Sequence, residues 1–429
     1  MSEPLLRLID LRSTTLSSDQ VNELVPRSQI DISAALEVVN PLIGEIRVNS
    51  LAAVIEQTLK FDGFDPSPVL VSAEEIAVAV RNLDSELRSA IELSIERVQK
   101  YSEATLPKPV ALEITAGATI TQRWQPVDSV GLYVPGGKAV YPSSVIMNAV
   151  PAMVSKVPRL AIASPGQRQF GGRPHPTVLA TAGLLGVEQV FCMGGATAVA
   201  ALAFGIPELG LEPVAMVTGP GNIYVAAAKR ALRGTIGIDS EAGPTEILIL
   251  ADESADAKLI AYDLISQAEH DENAAAVLVT TSFDLAESVR ELVAELAPKT
   301  ENSERVLAAL GARQSAAVVV ANLEQAILFT NAYATEHLEI QTLRNEEVLG
   351  QMSNAGAIFL GKYTPVSLGD YLAGSNHVLP TGLQAKFDSG LGVHSFLRAQ
   401  SVINYDRDSL FEVADLVQKF ARAEGLPAH

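Results

Sequence analysis

The apolar positions of this chain follow two different periods, and the change comes near residue 130. Between residues 73 and 105 apolar side chains recur every three or four positions, and no Gly or Pro interrupts them. This spacing places them on one face of a helix, so it predicts a long helix over 73–105. Residues 1–110 as a whole are predicted to be mainly helical, with a strand-like stretch leading into residue 130.

From residue 130 onward short β-rich runs alternate with helical patterns in two successive stretches. In the first stretch we predict strands at 131–134, 159–163, 187–193 and 213–217, and helices at 143–156, 176–185 and 197–204. In the second we predict strands at 247–251, 275–280, 316–321, 337–341 and 357–361, and helices at 256–267, 284–296, 323–333 and 345–352. Residues 395–429 are predicted to form a short extended piece followed by a helix at 410–422.

Alternating strands and helices are typical of parallel sheets with helices on both faces. The predicted fold class is therefore α/β, with two doubly wound Rossmann-like parallel-sheet units, a helical N-terminal region and a small C-terminal helical segment. The Gly-x-Gly-x-x-Gly fingerprint of dinucleotide-binding units is absent, because the Gly-Pro-Gly at 219–221 is followed by Tyr224 where the fingerprint has Gly.

Composition narrows the class of protein. With 429 residues the chain is long enough for two or three domains, and its 48% hydrophobic and 19% charged residues are ordinary for a globular enzyme. The net charge of −19 argues against nucleic acid and against membranes as partners, because nucleic acid and anionic membrane surfaces both attract basic patches.

Cysteine usage and the absence of targeting patterns suggest a location. The single cysteine, Cys192, excludes a disulfide within the chain, and its apolar neighbours favour a small buried side chain over a nucleophile. The first residues lack the apolar stretch of a signal peptide, and we find no apolar run that approaches the length of a membrane span. We therefore expect a cytoplasmic protein.

A candidate metal-binding pair, Gln267 and His270, closes the helix predicted at 256–267. Residues three apart share a helix face, so the amide oxygen and the imidazole point in the same direction. Together they make half of a zinc site, whose other ligands must come from elsewhere in the chain. The spacing leaves open the alternative that the pair is only surface decoration.

Glycine-rich turns follow several of the predicted strands. They lie at 135–137, 194–196 and 219–222, where a strand passes into a helix. The carboxyl ends of parallel strands form the ligand crevice of doubly wound sheets, and glycine lets a ligand approach the backbone. A bound nucleotide is one interpretation, and tight turns without a ligand are the other.

Two further polar segments carry candidate catalytic groups. Glu336 and His337 stand at the start of a predicted strand, and they serve as two distinct bases if the chain bends so that both face one cleft. A surface pair is the alternative. Asp370 lies in a run at 367–377 that is rich in Gly, Ser and Asn, a composition found in functional loops.

Taken together, motifs along nearly the whole chain resemble the histidinol dehydrogenase family. They are Val-Gly-Leu-Tyr-Val-Pro-Gly-Gly at 130–137, Gly-Gly-Ala at 194–196, Ala-Leu-Ala-Phe-Gly at 201–205, Gly-Pro-Gly-Asn at 219–222, Ala-Gly-Pro-Thr-Glu at 242–246, Ser-Gln-Ala-Glu-His-Asp at 266–271, Glu-His-Leu-Glu at 336–339, Gly-Asp-Tyr at 369–371, Gly-Ser-Asn-His-Val-Leu-Pro at 374–380 and Ser-Gly-Leu at 389–391.

The resemblance implies an enzyme that oxidises L-histidinol through the aldehyde to L-histidine with two NAD+, the last steps of histidine biosynthesis. It implies Glu336 and His337 as the catalytic bases. It implies one Zn2+ per subunit, with the ligands Gln267, His270, Asp370 and His429. Further implied substrate contacts are Thr245, Glu424 and, with the weakest match, His377, besides His337 and the four zinc ligands. The implied NAD+ contacts are Tyr133, Thr197 and Asn222.

The resemblance also implies a domain arrangement and a homodimer with shared active sites. Residues 1–29 with 392–429 are expected as small helical segments exchanged in the dimer. Residues 30–137 with 246–391 are expected as a large α/β domain with the zinc and catalytic residues, and 138–245 as a second Rossmann-like domain on the NAD+ side. In the family the last zinc ligand comes from the partner chain.

Three features depart from the family pattern. Thr197 stands where the family commonly has Gln, which predicts weaker NAD+ binding. The chain has Arg-Val-Asn-Ser at 47–50 where a Gly-Asp is common. The sequence ends at His429, where a metal ligand is expected to be mobile and to carry its own carboxylate.

Two other functions remain open from the sequence. One is a zinc- and NAD+-dependent dehydrogenase of the same fold that acts on another small polar alcohol. Glu424, which is able to pair with a substrate amine, favours histidinol over that alternative. The other is a non-catalytic paralogue that holds metal without turnover, and the retention of both bases argues against it.

Overall fold

The computed structural model describes residues 5–28, 32–136, 140–241 and 243–429. Gly137 of the motif at 130–137, the domain boundary predicted at 137/138, and Ala242 of the motif at 242–246 lie outside the described residues.

The first part of the chain holds one strand, four helices and an antiparallel hairpin. These elements are β1 (Arg7–Asp10), α1 (Val21–Leu24), α2 (Ile32–Asp62), α3 (Ala73–Asn82), α4 (Ser85–Ala104), β2 (Val110–Thr115) and β3 (Ala118–Pro126).

Two α/β units follow. The first contains β4 (Val130–Tyr133), α5 (Pro142–Val154), β5 (Leu160–Ser164), α6 (Pro176–Leu184), β6 (Val190–Cys192), α7 (Gly195–Phe204), β7 (Met216–Thr218), α8 (Ile223–Leu232) and β8 (Gly237–Ile238). The second contains β9 (Glu246–Ala251), α9 (Ala257–Ala268), β10 (Ala275–Thr280), α10 (Phe283–Leu296), α11 (Ser303–Gly311), β11 (Ala316–Val319), α12 (Leu323–Tyr333), β12 (His337–Gln341), α13 (Asn345–Leu349), β13 (Ala357–Leu360) and α14 (Val366–Tyr371). The chain closes with β14 (Leu397–Tyr405) and α15 (Arg407–Ala423).

Both units contain a parallel sheet whose strand order reverses once. The first sheet has the order β6-β5-β4-β7-β8, and the second has β1-β11-β10-β9-β12-β13. Every pairing in the two sheets is parallel. The order therefore reverses between β4 and β7 in the first sheet and between β9 and β12 in the second. This confirms the prediction of two doubly wound units.

The inner strands of both sheets are buried on both faces, as parallel sheets covered by helices require. All six residues of β9 and all six of β10 are buried. Strand β4 is buried along its whole length. These runs are continuously apolar in the sequence, which is why the strands were predictable without an alternating pattern.

The helix predicted over 73–105 is wrong in one respect, because the structure divides it into α3 and α4. Asp84 caps the start of α4, where its carboxylate accepts the backbone N–H groups of Glu86 and Leu87. Ser72 and Glu75 form a capping box at the start of α3. A side chain that satisfies free N–H groups begins a new helix even when the apolar spacing continues across it.

The segments 1–29 and 392–429, whose grouping in the dimer stays a prediction, contribute strands to two different sheets. Strand β1 pairs in parallel with β11, so Arg7–Asp10 is the edge strand of the second sheet. Strand β14 instead pairs antiparallel with β3 over nine residues, and β2 completes this separate sheet. A four-residue strand in a region of helical composition gives too short a pattern to be recognised in advance.

Helix α2 is long and apolar, although the sequence analysis found no apolar run that approaches the length of a membrane span. By length and composition alone it is able to cross a membrane, and 22% of its most apolar window is buried. The helix bends at Ser50, whose φ is 48°. Its buried side chains, Val39, Ile43, Ile46 and Val54 among them, pack in one cluster with residues of α7 and α8.

Candidate active site

The two sheets meet through opposite edges. Residues 239–245 lead from the carboxyl end of β8 directly to the amino end of β9. One cavity is lined by Ile223 and Ala226 of α8 and by Glu246 and Ala275 at the amino ends of β9 and β10, so the two edges lie close together. Glycine-rich turns therefore lie on one side of the junction, and the polar groups that precede β9 and β12 lie on the other.

Glu336 lies just before β12 and is held against the start of β9. Its Oε2 accepts the hydroxyl of Thr245 at 2.6 Å and the backbone N–H of Glu246 at 2.9 Å. Burial raises the pKa of this carboxyl to about 8, although both hydrogen bonds act in the opposite direction. A carboxyl with such a pKa is able to gain and lose a proton near neutral pH.

His337 faces the same edge, which its position next to Glu336 in the sequence left undecided. The chain turns at Ala334, which has the left-handed φ of 49°, before it enters β12. Nδ1 of His337 lies 3.0 Å from the carbonyl oxygen of Glu246 and 3.4 Å from Oε2 of Glu336. A carbonyl oxygen only accepts, so Nδ1 carries the hydrogen and Nε2 the lone pair.

The lone pair of His337 is buried and has no protein partner. Nε2 makes no hydrogen bond to any described residue. Burial lowers the pKa of this imidazole, so it is neutral at pH 7. A neutral imidazole with a free lone pair is equipped to accept a proton.

Gln267 is oriented by the same network. Its Nε2 donates to Thr245 Oγ1 at 2.5 Å, and Thr245 donates in turn to Glu336. The other end of the amide, Oε1, is buried without a hydrogen-bond partner among the described residues. A buried unpaired oxygen is costly, so Oε1 of Gln267 is a candidate metal or substrate contact.

His270 and Asp370 come together beside Gln267. Nδ1 of His270 lies 3.2 Å from the carbonyl oxygen of Ser266, so this nitrogen carries the hydrogen. Nε2 then directs its lone pair toward Asp370, whose Oδ2 lies 4.0 Å away. Two electron-rich atoms that face each other without a proton between them suit a cation.

The donor set fits a zinc ion. Zinc bonds to nitrogen and oxygen at about 2.0–2.2 Å, so two ligands of one ion lie at most about 4.3 Å apart. The pair His270 and Asp370 meets this limit, and the unpaired oxygen of Gln267 offers a third donor. Within the described ranges no three His, Cys, Asp or Glu side chains form a metal-binding group, so these residues do not complete a site by themselves.

His377 lies next to this group. Its Nδ1 is 3.0 Å from the backbone oxygen of Asp370. Burial lowers its pKa, and the neighbouring imidazoles of His337 and His270 act in the same direction. The structure therefore brings all three imidazoles into one cluster.

Comparison with known proteins decides the family. The family model described as histidinol dehydrogenase matches residues 25–429. A protein of Leifsonia xyli named histidinol dehydrogenase is 55% identical over 99% of this chain and 97% of its own length. One of Mycolicibacterium smegmatis with the same name is 51% identical over 98% of this chain and 95% of its own length. A crystal structure of histidinol dehydrogenase from Elizabethkingia anophelis superposes with a TM-score of 0.93 at 29% identity, covering 100% of this chain and 97% of that chain.

The chain belongs to the histidinol dehydrogenase family. This confirms the family, the α/β fold class and the enzyme class predicted from the sequence, since proteins of this name are oxidoreductases that act on histidinol.

The histidinol dehydrogenase motifs implied four zinc ligands, and the structure of one chain brings three of them together. His429 lies beyond the end of α15, as does Glu424, and both are exposed. They line a groove with apolar residues of α15: Val413, Leu416, Val417, Phe420 and Ala421. No hydrogen bond or ion pair links Glu424 or His429 to the cluster within the described part of the chain.

The same motifs implied NAD+ contacts by Tyr133, Asn222 and Thr197. Tyr133 ends β4 and Asn222 follows β7, so both lie where the strand order reverses. The hydroxyl oxygen of Tyr133 accepts the N–H of Gly195 at 3.1 Å. Asn222 caps α8 by accepting the N–H groups of Tyr224 and Val225.

Thr197 differs from these two residues. Its side chain is 5% exposed, and its hydroxyl donates to Oε1 of Gln57 on α2 at 2.7 Å. The hydroxyl of Thr197 therefore links α7 to α2, and the contact of this side chain with NAD+ stays a prediction.

Sequence reasoning missed two groups that support the histidinol dehydrogenase cluster. Glu246 provides the backbone partners of Glu336 and His337, while its carboxylate pairs with Arg27 at 2.6 Å. Glu339 and Asp263 are buried behind the cluster, two residues after His337 and one helical turn before Gln267. A buried Glu in the middle of a strand was the available signal for the second group.

Proposed function

We propose that this chain is a zinc-dependent, NAD+-linked dehydrogenase that oxidises L-histidinol through L-histidinal to L-histidine. The observation that carries the proposal is the set of buried but unpaired atoms at one edge of the second sheet. Nε2 of His337 and Oε1 of Gln267 lack partners, and Nε2 of His270 faces a carboxylate. Family membership supports histidinol as the substrate.

In this proposal Gln267, His270 and Asp370 hold the zinc ion, with His429 as a further ligand. When bound, zinc fixes the imidazole and amine nitrogens of histidinol and so orients the alcohol carbon. Thr245 keeps the amide of Gln267 turned so that its oxygen, and not its nitrogen, faces the metal position.

His337 is the proposed base of the alcohol step. Its free Nε2 accepts the hydroxyl proton of the alcohol while a hydride leaves the carbon that bears this hydroxyl and passes to NAD+. The hydrogen bond from Nδ1 to the carbonyl oxygen of Glu246 fixes the tautomer and stabilises the imidazolium that forms.

Glu336 is the proposed base of the aldehyde step. This step adds water to the aldehyde carbon. A second hydride then passes from that carbon to a second NAD+, which gives the carboxylic acid. The carboxylate of Glu336 removes a proton from the attacking water. Its pKa of about 8 makes it a stronger base than an ordinary Glu, because burial disfavours its charged form.

The crevice between the carboxyl ends of β4 and β7 is the proposed NAD+ site. Doubly wound sheets bind dinucleotides where the strand order reverses. Tyr133 and Asn222 flank this position, and Asn222 stands at the amino end of α8, where backbone N–H groups favour phosphate.

A homodimer with shared sites accounts for the position of the last helix. Only Ser409 and Ala421 are buried along the 17 residues of α15, although the helix carries Phe411, Leu416 and Phe420. Such a face suits a second copy of this chain. Its far end then supplies Glu424 and His429 to the site of the partner, where Glu424 pairs with the substrate amine.

The remaining parts of the proposal concern location and rival functions. A single buried and free cysteine fits a reducing compartment, so the cytoplasm is the proposed location. A non-catalytic paralogue would have no reason to keep Glu336 and His337 buried at a cost in stability. No observation favours another small polar alcohol over histidinol.

The test measures product stoichiometry and metal content together. We expect two NADH for each histidinol consumed, loss of activity after prolonged chelation, and recovery with Zn2+. The variant His270→Ala should lose zinc by elemental analysis, because it removes one of the few proposed protein ligands.

The matched control is His394→Ala, which removes an exposed histidine in the connection before β14. It should keep both metal and activity. Full zinc content in His270→Ala would contradict the proposed ligand set.

A further inference from the structure

A buried ion pair, Lys229 with Asp239, lies at the crevice of the first sheet and takes no part in the chemistry described above. Their side chains are 2% and 4% exposed, and Nζ lies 2.5 Å from Oδ1. Burying two charges is expensive even when they are paired, and an apolar pair of similar size often serves stability as well. The pair therefore calls for a role other than stability.

Both charged groups bind the backbone of a single residue, Gly219. Lys229 Nζ donates to the carbonyl oxygen of Gly219 at 2.5 Å. The N–H of Gly219 donates to Oδ2 of Asp239 at 2.7 Å. The ion pair thus satisfies both polar groups of this residue and fixes their directions.

Gly219 is a residue whose backbone needs such a constraint. Its φ is +116°, and a Cβ at this position would collide with the carbonyl oxygen of Tyr133. Glycine is required here, and glycine is the residue with the least intrinsic preference for one backbone conformation. External contacts must therefore hold it in place.

The position of Gly219 connects this constraint to the cofactor. The residue follows β7 directly, faces the end of β4, and begins the turn that leads to Asn222 and α8. If the peptide turned over, its carbonyl oxygen would enter the crevice and repel the phosphates of a dinucleotide. The contacts with Lys229 and Asp239 keep that oxygen buried.

We propose that Lys229 and Asp239 are positioning residues for the dinucleotide, which hold the backbone of Gly219 so that the turn presents the N–H groups of Gly221 and Asn222 to the phosphates. The proposal rests on the proposed use of NAD+. It assigns the ion pair an effect on cofactor affinity and none on the proton transfers at Glu336 and His337.

The test compares a charge-neutral double variant with the parent enzyme. Lys229→Met combined with Asp239→Asn leaves no lone buried charge and keeps an acceptor for the Gly219 N–H, but it removes the donor to the Gly219 carbonyl. We expect the Kd for NADH, measured by fluorescence without histidinol, to rise about tenfold. A change of this size corresponds to the loss of one charge-assisted hydrogen bond. The KM for NAD+ should rise by the same factor, with kcat and the KM for histidinol within about twofold.

The control is Arg290→Met on α10. Arg290 also binds an acid, Glu287, and a backbone carbonyl, that of Leu6, but it lies in the second unit away from the crevice. If the Lys229–Asp239 pair only stabilises the fold, the double variant and Arg290→Met should both lose thermal stability. The Kd for NADH should then stay unchanged in both.

A second variant covers the case in which the double variant does not fold. Asp239→Glu keeps the charge and the ion pair but displaces the carboxylate by one methylene, so a raised Kd for NADH is expected again. An unchanged Kd in a folded variant overturns the proposal alone. Absence of NADH binding by the parent enzyme overturns the proposed function as well.

Discussion

The two sheets of this chain have the same doubly wound topology and contribute opposite edges to the site. The first sheet offers its carboxyl ends, where the strand order reverses between β4 and β7 and where we propose that the dinucleotide binds. The second offers its amino ends, where Thr245 and Glu336 precede β9 and β12. Fold topology alone therefore indicates the ligand position in the first unit and misses it in the second.

Both edges hold buried unpaired polar atoms, Thr218 Oγ1 among them at the first edge, but their buried ionisable groups differ in their partners. In the first unit Lys229 and Asp239 bind each other and the backbone of Gly219, so every charge has a partner. In the second unit His337 and Gln267 each leave one buried atom unpaired. Paired groups maintain a shape, whereas unpaired groups are available to a metal, a substrate or a proton.

The largest expected effect comes from the two proposed bases of the second unit, Glu336 and His337. We expect Glu336→Gln to slow aldehyde oxidation by about 10²–10⁴-fold and alcohol oxidation much less, because only the aldehyde step adds water. His337→Ala should slow the alcohol step by a similar factor. Single-turnover assays with histidinol and with histidinal separate the two steps.

The pH profile sharpens this prediction. Because the carboxylate form of Glu336 is the active base and its pKa is about 8, the aldehyde rate should rise with pH through about 8 in the parent enzyme. This rise of the aldehyde rate with pH should be absent in Glu336→Gln. Equal losses in both half-reactions would contradict the division of roles.

The next prediction tests whether a partner subunit supplies His429 to the site at the edge of the second sheet. Glu336→Gln and His429→Ala, each expected to be inactive in the complete oxidation of histidinol to histidine, are unfolded and refolded together, and histidine formation is measured. If sites are shared, one site of a mixed dimer collects both defects and the other none. Random pairing makes half of the dimers mixed, so activity should return to about a quarter of the parent value.

The control mixture combines Glu336→Gln with His337→Ala. Both residues lie in the cluster of their own chain, so each site in a mixed dimer has one defect and the mixture stays inactive. An inactive Glu336→Gln and His429→Ala mixture, with chain exchange verified by mass spectrometry, would exclude the crossed arrangement.

A smaller effect is expected from the buried acids behind the cluster. Burial raises the pKa of Glu339 to about 9 and that of Asp263 to about 6, and the negative charge of Asp263 raises the pKa of Glu339 further. An acid whose pKa is raised in the folded state stabilises the fold below its unfolded pKa, and this contribution is lost as the pH rises through the folded pKa. Stability should therefore fall between about pH 5 and 9.

Glu339→Gln should reduce this dependence, because the amide stays neutral and still accepts the hydrogen bond from Gln341. At pH 9 we expect its Tm to exceed that of the parent by on the order of 2 °C, with no gain at pH 5. Glu253→Gln, an exposed acid, serves as the control and should follow the parent. A parallel pH dependence in Glu339→Gln would show that this acid is ionised throughout.

The smallest effect concerns Thr197, which belongs to the paired groups of the first unit. Thr197→Val removes the hydrogen bond to Gln57 and keeps the side-chain shape, so we expect a loss of about 1 kcal/mol in the free energy of unfolding. The KM for NAD+ should change less than about twofold. A rise of tenfold in that KM would show that the hydroxyl reaches the cofactor after all.

Local sequence patterns predicted most of the helices and strands of the two α/β units. The predicted strands at 275–280 and 337–341 and the helix at 323–333 agree with the structure at both ends. Continuous apolar runs bounded by turn residues are a local signal, and buried parallel strands always carry it. The break between α3 and α4 was missed because a single cap residue outweighs a continuing period.

Membership of the family and the identity of the site segments were also present in the sequence, because the motifs at 266–271 and 336–339 are contiguous. The sequence did not show that Gln267, Thr245 and Glu336 come together. Thr245 is 22 positions from Gln267 and 91 positions from Glu336 along the chain. Their contact depends on how β9 and β12 pair, which no local pattern specifies.

The sequence by itself determined the α/β class, the two sheet-forming units and the residues able to bind metal or accept protons, because these follow from short-range periodicity and side-chain chemistry. Only the tertiary structure decided which atoms of those residues are free. Burial and a carbonyl acceptor leave Nε2 of His337 unpaired, while Gln57 occupies the hydroxyl of Thr197. Hydrogen-bond partners and desolvation are properties of the packed chain, so the sequence does not reveal that one polar side chain keeps a free atom while another is used in packing.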